Sequence, residues 1–351
     1  MLYILALLAA LFFSLIFTPI AKHFAAKFGV LDKPGFRKIH AKPMPLTGGE
    51  AIFLAFALTA VIFSQISREI AGILLVGLGF IAFGLLDDAG IKMRARYKIW
   101  SHLLLACAFA YFTGIHFSFF RYELINWLLT VCFITFMTNS MNMLDGMDGL
   151  VSGVSFLSAG FFAVLAFNSG QNDLIMLSVI IMGATLGFLK YNFNPASIFL
   201  GEAGSTFLGY ILAVLAIKLN VFGLWNVALS LGIERLQLIS FIIPLIVLGI
   251  PIFDTYFVFA NRFLHRVKFS QPGKDHSHHR IHLMGFSQKF TVLTLYAVQL
   301  ILGMIALAMI RSDVQQFFAL LVIVAIFFVS FSVFLSRIKV YSNEPKNSPV
   351  S

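Results

Sequence analysis

The sequence predicts an all-α fold: a polytopic integral membrane protein of about eleven transmembrane helices, N-terminus outside and C-terminus cytoplasmic. Three observations carry this. Of 351 residues, 60% are hydrophobic and only 11% charged, and the mean hydropathy is +0.93. Soluble domains carry about a quarter charged residues. Near-uncharged runs of ~20 residues, enough to cross a bilayer, recur from end to end. Basic residues gather in alternate connections.

The first run, 2–26, begins at Met1, and its positive charges, Lys22 and Lys27, come late. A cleavable signal peptide has the opposite order, so this run is expected to stay as an anchor. Runs at 47–67, 69–86, 99–114 and 123–139 follow, then 150–168, 173–191 and 204–219. The run at 236–261 holds Pro244 and Gly249-Ile250-Pro251 and is expected to kink there. Runs at 289–311 and 314–337 close the series. With the first terminus outside, roughly nineteen of the 25 basic residues fall on the inside connections 27–46, 87–98, 139–149, 191–203, 262–288 and the tail. Arg68, Arg121, Lys218, Arg235 and Arg311 fall outside. An anionic inner leaflet accounts for the net charge of +10 without nucleic acid. Residues 1–338 read as one integral membrane domain and 339–351 as a polar cytoplasmic tail. Cys107 and Cys132 fall inside runs and read as small apolar core residues. No disulfide framework or paired-cysteine metal spacing is present.

The inner face collects the unusual polarity. Residues 138–150 read TNSMNMLDGMDGL, placing Asn139, Asn142, Asp145 and Asp148 three apart, about one helical turn. Gly146 and Gly149 admit positive φ and close backbone approach. GLLDD ends the third run with Asp87 and Asp88. Acids at a helix C-terminus oppose the macrodipole, so a nearby cation is expected. IFLGEAGST sets Glu202 at the start of the eighth run, where simple capping is the plain alternative. Asp254 lies within the ninth run, and an intramembrane acid is a functional candidate by default. QPGKDHSHHRIHLMG crowds His276, His278, His279 and His282 beside Lys274 and Arg280. Histidines this close together, without cysteine, close poorly round zinc; gripping phosphate suits the neighbouring cations better. Carboxylates, cations and glycine turns on one face suggest a hard-metal site for a phosphorylated substrate. Mg²⁺ takes oxygen ligands and shares them with phosphates. No GxxxxGK[ST], HExxH or GxSxG occurs, which removes P-loop and common hydrolase readings.

In order and spacing these clusters resemble the polyprenyl-phosphate N-acetylhexosamine-1-phosphate transferases, the family of WecA, TagO and the related MraY. RKIHAKPMPLTGG resembles the family's first cytoplasmic loop, GLLDD its paired aspartates and NSMNMLDGMDGL its Asn-x-x-Asn-x-x-Asp-Gly-x-Asp-Gly-Leu motif. FLGEAGSTFLG resembles its Gly-Asp-x-Gly-Ser motif and HSHHR its His-x-His-His-Arg loop. The likeness runs from about residue 30 to 290, and the span count and outside N-terminus suit the WecA branch. It implies that residues 1–338 are a catalytic domain in the cytoplasmic membrane, with the active site on its cytoplasmic face. It implies transfer of N-acetylhexosamine 1-phosphate, favouring GlcNAc, from a UDP-sugar to undecaprenyl phosphate. UMP leaves, and cell-surface glycan synthesis begins.

Roles follow from matched positions. Glu202 stands where the family has its metal-binding Asp, with Mg²⁺ the expected ion and Mn²⁺ a substitute. Phe199 matches an aromatic that stacks on uracil, and Asp148 an acid that hydrogen-bonds the base; Asn142 and Asp145 line the same pocket. Asp87 and Asp88 match a catalytic pair near the lipid phosphate, with Asp87 preferred as proton acceptor. His276, His278, His279 and Arg280 match the loop that contacts diphosphate and sugar. Expected partners are UDP-N-acetylglucosamine, undecaprenyl phosphate and membrane lipids, with no nucleic acid and a homodimer admissible. Two departures stand out. Gly-Glu replaces Gly-Asp, lengthening the ligand by one methylene. Pro272-Gly273 replaces Pro-Asp, leaving Asp275 as the only nearby substitute carboxylate. An MraY-type phospho-MurNAc-pentapeptide transferase is the nearest alternative, disfavoured by HSHHR where three consecutive histidines are expected. A secondary transporter or an inactive lipid-binding scaffold are the alternatives of other classes. Acids at helix ends, rather than mid-membrane, weigh against a transporter.

Overall fold

The computed structural model describes residues 1–33, 42–91, 93–268, 273–338 and 340. The RKIHA stretch, Pro272 and the tail other than residue 340 lie outside the described residues. The helices in chain order are α1 (Leu2–Phe28), α2 (Gly48–Phe63), α3 (Arg68–Asp88), α4 (Ala95–Thr113), α5 (Glu123–Leu144), α6 (Leu150–Asn168), α7 (Asn172–Asn192) and α8 (Gly201–Lys218). After a 3₁₀ turn at Phe222–Leu224 come α9 (Trp225–Ser230), α10 (Leu236–Ser240), α11 (Ile242–Val247), α12 (Gly249–Leu264), α13 (Ser277–Leu283), α14 (Gln288–Met309) and α15 (Val314–Ser336). A two-stranded antiparallel ladder, β1 (Leu31–Asp32) with β2 (Met44–Pro45), pairs Leu31 with Pro45 and Asp32 with Met44.

Among the described residues, seven helices are long and apolar enough to cross a membrane, and up to nine if each bent pair counts as one span. The expected eleven runs all fold as helix, but α2 has only 16 residues and α4 opens on Arg96 and Lys98. Neither meets that standard by length and composition. The predicted kink is present: the axis turns by 80° between Leu236–Val247 and Gly249–Leu264. Pro244 and Pro251 each sit in the first turn of the helix that follows, where a missing amide donor costs nothing. The chain therefore breaks just ahead of each.

Helix α8 is the hub. Every residue from Ala203 to Ile217 is buried, as befits a helix apolar on all sides. Small residues let its neighbours close in. A Cβ on Gly49 of α2 would lie 2.2 Å from Gly204 N, and one on Gly84 of α3 would lie 2.3 Å from Ala203 Cα. At the periphery, α15 buries only Phe317, Val324 and Leu335. Cys107 and Cys132 are exposed on α4 and α5 rather than in the core. A lipid-facing surface is as apolar as an interior, so hydropathy placed them in spans without telling which face they occupy.

Three backbone hydrogen bonds tie the first loop to the segment before α8. Phe199 N donates to Pro45 O at 2.8 Å, Gly48 N to Phe199 O at 3.1 Å and Gly49 N to Leu200 O at 2.9 Å. These bonds bring the ends of α2, α3, α5 and α8 to one end of the bundle, where a cavity opens.

Candidate active site

The cavity has a volume of about 1330 Å³. Asp87, Asp88, Asn142, Asp145, Asp148, Phe199, Glu202 and His279 all line it, although they come from four separate stretches of chain. His276, His278 and Arg280 do not.

Asp88 is committed to the fold. Its carboxylate accepts from Glu202 N at 3.0 Å and Ala203 N at 3.1 Å, capping α8 from a different helix. Gly201 makes this possible. Its φ is 76°, and a Cβ there would fall 2.6 Å from Asp88 Oδ2 and 2.6 Å from Leu46 O. Among the described residues the Glu202 carboxylate bonds a side chain rather than an amide of α8, unlike a simple cap. The partner is Lys98 Nζ, which also donates to Asp87 Oδ2 at 2.9 Å. Met93 N adds a bond to Asp87 Oδ1 at 3.1 Å. Lys98 is thus the cation that acids at the end of α3 called for. Sequence reading missed it because the partner stands on the next helix. Its only signal was a basic residue opening an otherwise apolar run.

The Asp145–Gly149 turn forms the adjoining wall. Asn142 Oδ1 accepts from Ser205 Oγ at 3.0 Å. Asp148 Oδ2 accepts from Asn194 Nδ2 at 3.0 Å and Ala196 N at 3.0 Å. Asn192 accepts from Gly149 N at 3.1 Å and donates to Ile198 O at 3.0 Å, and Asn194 donates to Gln288 Oε1 at 2.9 Å. These asparagines and Gln288 were also unread in the sequence, because their role is to wire one loop to another. Asp145 has no side-chain hydrogen bond among the described residues. Its carboxylate is open to the cavity but enclosed by the walls, and this desolvation, with Asp88 and Asp148 nearby, pushes its pKa up to about 8.

The histidine segment divides its side chains between different tasks. Asp254, wholly buried on α12, accepts from His276 Nδ1 at 2.7 Å, from Ser277 N at 2.7 Å and from Ser277 Oγ at 2.6 Å. Burial alone would lower His276, but the Asp254 carboxylate reverses this and holds the imidazole above its ordinary range. His278 is fully buried, with neither ring nitrogen hydrogen-bonded. It lies against Gly146, where a Cβ would come 2.3 Å from Nε2. Burial, then its neighbour His279, pushes it well below its usual pKa. His279 faces the cavity, and burial, then His276, lowers it to about 4. Arg280 departs from expectation. It is buried, with Nε donating to Asp275 O at 3.0 Å and Nη1 to Leu335 O at 3.1 Å and Ile338 O at 2.7 Å. It fastens α13 to the end of α15 instead of facing a diphosphate. Asp275 does not replace the absent carboxylate either, because it holds Arg262 in a two-point ion pair at 2.7 and 2.8 Å.

The donors facing the cavity are hard oxygens, as a Mg²⁺ or Mn²⁺ site requires. Among the described residues no group of three or more His, Cys, Asp or Glu could hold a metal unaided. Glu202 and Asp145 both face the cavity, which suits an ion that takes one or two carboxylates and completes its shell elsewhere.

A bundle of apolar helices with an acidic cavity at its helix ends is matched by a family of transferases. The family model described as "Glycosyl transferase family 4" matches residues 70–220, which run from α3 through α8, and the chain belongs to this family. The "Probable undecaprenyl-phosphate N-acetylglucosaminyl 1-phosphate transferase" of Bacillus subtilis (strain 168) is 36% identical over 336 residues, covering 92% of this chain and 89% of the relative. The "Phospho-N-acetylmuramoyl-pentapeptide-transferase" of the same organism is 28% identical, covering 80% of this chain and 89% of the relative. The enzyme of that name from Staphylococcus saprophyticus is 29% identical over 88% of this chain and 98% of its own length. The family resemblance drawn from the motifs is met by these comparisons.

Proposed function

We propose that this protein transfers N-acetylglucosamine 1-phosphate from UDP-N-acetylglucosamine to undecaprenyl phosphate, releasing UMP and starting a cell-surface glycan. The observation that carries it is the joining, in one cavity at the helix ends, of Phe199 and Asp148 with Asp87, Asp88 and Glu202. A water-borne nucleotide and a bilayer-borne phosphate can meet only at such a level. The relative of 36% identity bears a name of this activity, and HSHHR favours a simple N-acetylhexosamine over a peptide-bearing sugar. The site faces the cytoplasm in this reading, with the N-terminus outside, the C-terminus inside and all eleven helical runs spanning a cytoplasmic membrane.

A lipid phosphate oxygen attacks the β-phosphorus of the UDP-sugar, and the bond to the UMP oxygen breaks. Such a transfer asks the protein mainly for positioning and charge neutralisation. Phe199 stacks on uracil, and Asp148 orients the base. Lys98, between Asp87 and Glu202, presents an ammonium to the phosphates. His279 offers a neutral hydrogen-bonding edge to the diphosphate or sugar. Glu202 and Asp145 would hold a divalent cation that neutralises the charge developing on the leaving phosphate. Asp88 fixes Glu202 through the two amides at the start of α8.

The test is UMP release by purified protein given UDP-N-acetylglucosamine, undecaprenyl phosphate and Mg²⁺. UDP-N-acetylgalactosamine and UDP-N-acetylmuramoyl-pentapeptide run in parallel to settle the sugar. Glu202→Gln should cut kcat on the order of a thousand-fold, whereas Phe199→Ala should chiefly raise KM. Solute flux into liposomes without UMP release would replace the transferase with a transporter.

A further inference from the structure

We propose that Lys98 holds the cation position of the site in the nucleotide-free protein, so that its ammonium and a divalent cation exclude one another at Glu202. The metal then enters together with the nucleotide sugar and not before it. This rests on the reading of Glu202 as a metal ligand.

Lys98 Nζ contacts Glu202 Oε2 and lies 2.9 Å from Asp87 Oδ2, with all three side chains largely shielded from solvent. Its place on α4 is informative. Lys98 stands in the first turn of the helix, where the macrodipole disfavours a cation. The two carboxylates are what hold it there. Asp88, the acid next to Asp87, spends its oxygens on backbone amides instead. Asp145, which also lines the cavity, has no cationic partner among the described residues.

A divalent cation reaching Glu202 in this state meets a carboxylate already neutralised. It would also sit within a few ångströms of an ammonium, and in so shielded a site that repulsion is strong. A diphosphate changes the balance. Its oxygens give the ammonium a new partner and the metal its missing ligands, so both cations can be held at once. Metal and nucleotide sugar should therefore bind with strong mutual reinforcement, each raising the affinity of the other by the same factor.

The experiment measures Mn²⁺ affinity by loss of the free-ion paramagnetic resonance signal, using protein in lipid nanodiscs with and without UDP-N-acetylglucosamine. Wild type should bind Mn²⁺ weakly alone and at least ten-fold more tightly with the nucleotide sugar. Lys98→Met, similar in size and uncharged, should bind Mn²⁺ alone at least ten-fold more tightly than wild type does. An unchanged or weaker affinity in Lys98→Met would reduce Lys98 to a structural ion pair and overturn the proposal. A second measurement needs no variant. Saturating Mn²⁺ without nucleotide should speed reductive methylation of Lys98 in wild type, followed by mass spectrometry. Mn²⁺ that binds without changing that rate would also overturn mutual exclusion. If neither protein binds Mn²⁺ even with nucleotide sugar, the metal reading of Glu202 fails and takes this proposal with it. The three results are distinct.

Discussion

Asp254 offers the sharpest test of how the histidine segment is held. It is wholly buried and accepts from an imidazole, a backbone amide and a hydroxyl within 2.6–2.7 Å. Asp254→Ala leaves all three donors unpaired and strips a buried imidazolium of its counter-ion. Breaking one side of a buried charged pair costs about 3–5 kcal/mol. Asp254→Asn keeps the shape and one acceptor, so it should lose about half of that, in the range of ~1.5–3 kcal/mol for hydrogen bonds to charged groups. The pH dependence separates charge from shape. The pKa of His276 is held above its unfolded value of 6.5. The stability from this pair is therefore fully present below about pH 6.5 and is lost as pH rises through the folded value. Thermal unfolding in nanodiscs between pH 6 and 9 should show a declining midpoint in wild type and a flatter one in Asp254→Asn. UMP release should fall in both variants, because His279 hangs from the same short helix. A stability change under about 0.5 kcal/mol, the range of an ordinary surface substitution, or an identical pH slope in Asp254→Asn, would refute the assignment.

Other outcomes follow from single residues. Gly201→Ala must place a Cβ against Asp88 and Leu46 O, whereas Gly29→Ala, at φ 74°, meets nothing within 4 Å. Both incur the left-handed backbone cost of about 1–2 kcal/mol, so any larger loss in Gly201→Ala on thermal unfolding reports the broken Asp88 cap. Asp145→Asn removes a carboxyl whose pKa is raised to about 8. Wild type should lose stability as pH climbs from about 4 to about 8, and the variant should gain on it over that interval; parallel curves would contradict the shift. Lys274→Cys, in a background with the exposed Cys107 and Cys132 replaced, should react with a membrane-impermeant thiol reagent only after the inner face is opened. Labelling in intact cells would reverse the orientation. Ser277 would be a poor probe, since it is buried against Asp254.

The helices were legible because a bilayer asks for long apolar runs, and their polar ends were legible because those ends break the pattern. Which face of a run looks inward was not, as the exposed Cys107 and Cys132 show. The histidine segment illustrates the limit more sharply. Its residues are adjacent in sequence, but about 100° separates successive side chains on a helix. His276 therefore turns to Asp254, His278 to Gly146, His279 to the cavity and Arg280 to the end of α15. Sequence could nominate the segment but could not divide its labour. Lys98 escaped for a related reason. Its pairing with Asp87 depends on the turn between α3 and α4, and its pairing with Glu202 on two helices more than a hundred residues apart in sequence.

The acids on the cavity floor are managed one at a time. Backbone amides hold Asp88, an ammonium spans Asp87 and Glu202, and Asp145 stands open to the cavity with its pKa raised. The charge of these carboxylates is therefore partly compensated within the protein. That matters for the proposed substrates, which are both anions, because an uncompensated acidic floor would repel them. Each neutralising device is also reversible to a different degree. The amides of Glu202 and Ala203 belong to the helix and cannot leave, so Asp88 is fixed. The ammonium of Lys98 is held only by side chains, to Asp87 and Glu202, so it is not fixed in the same way. Glu202 and Asp145 approach the cavity from two different helix ends. A hard cation completed by substrate oxygens needs its donors to converge in that way.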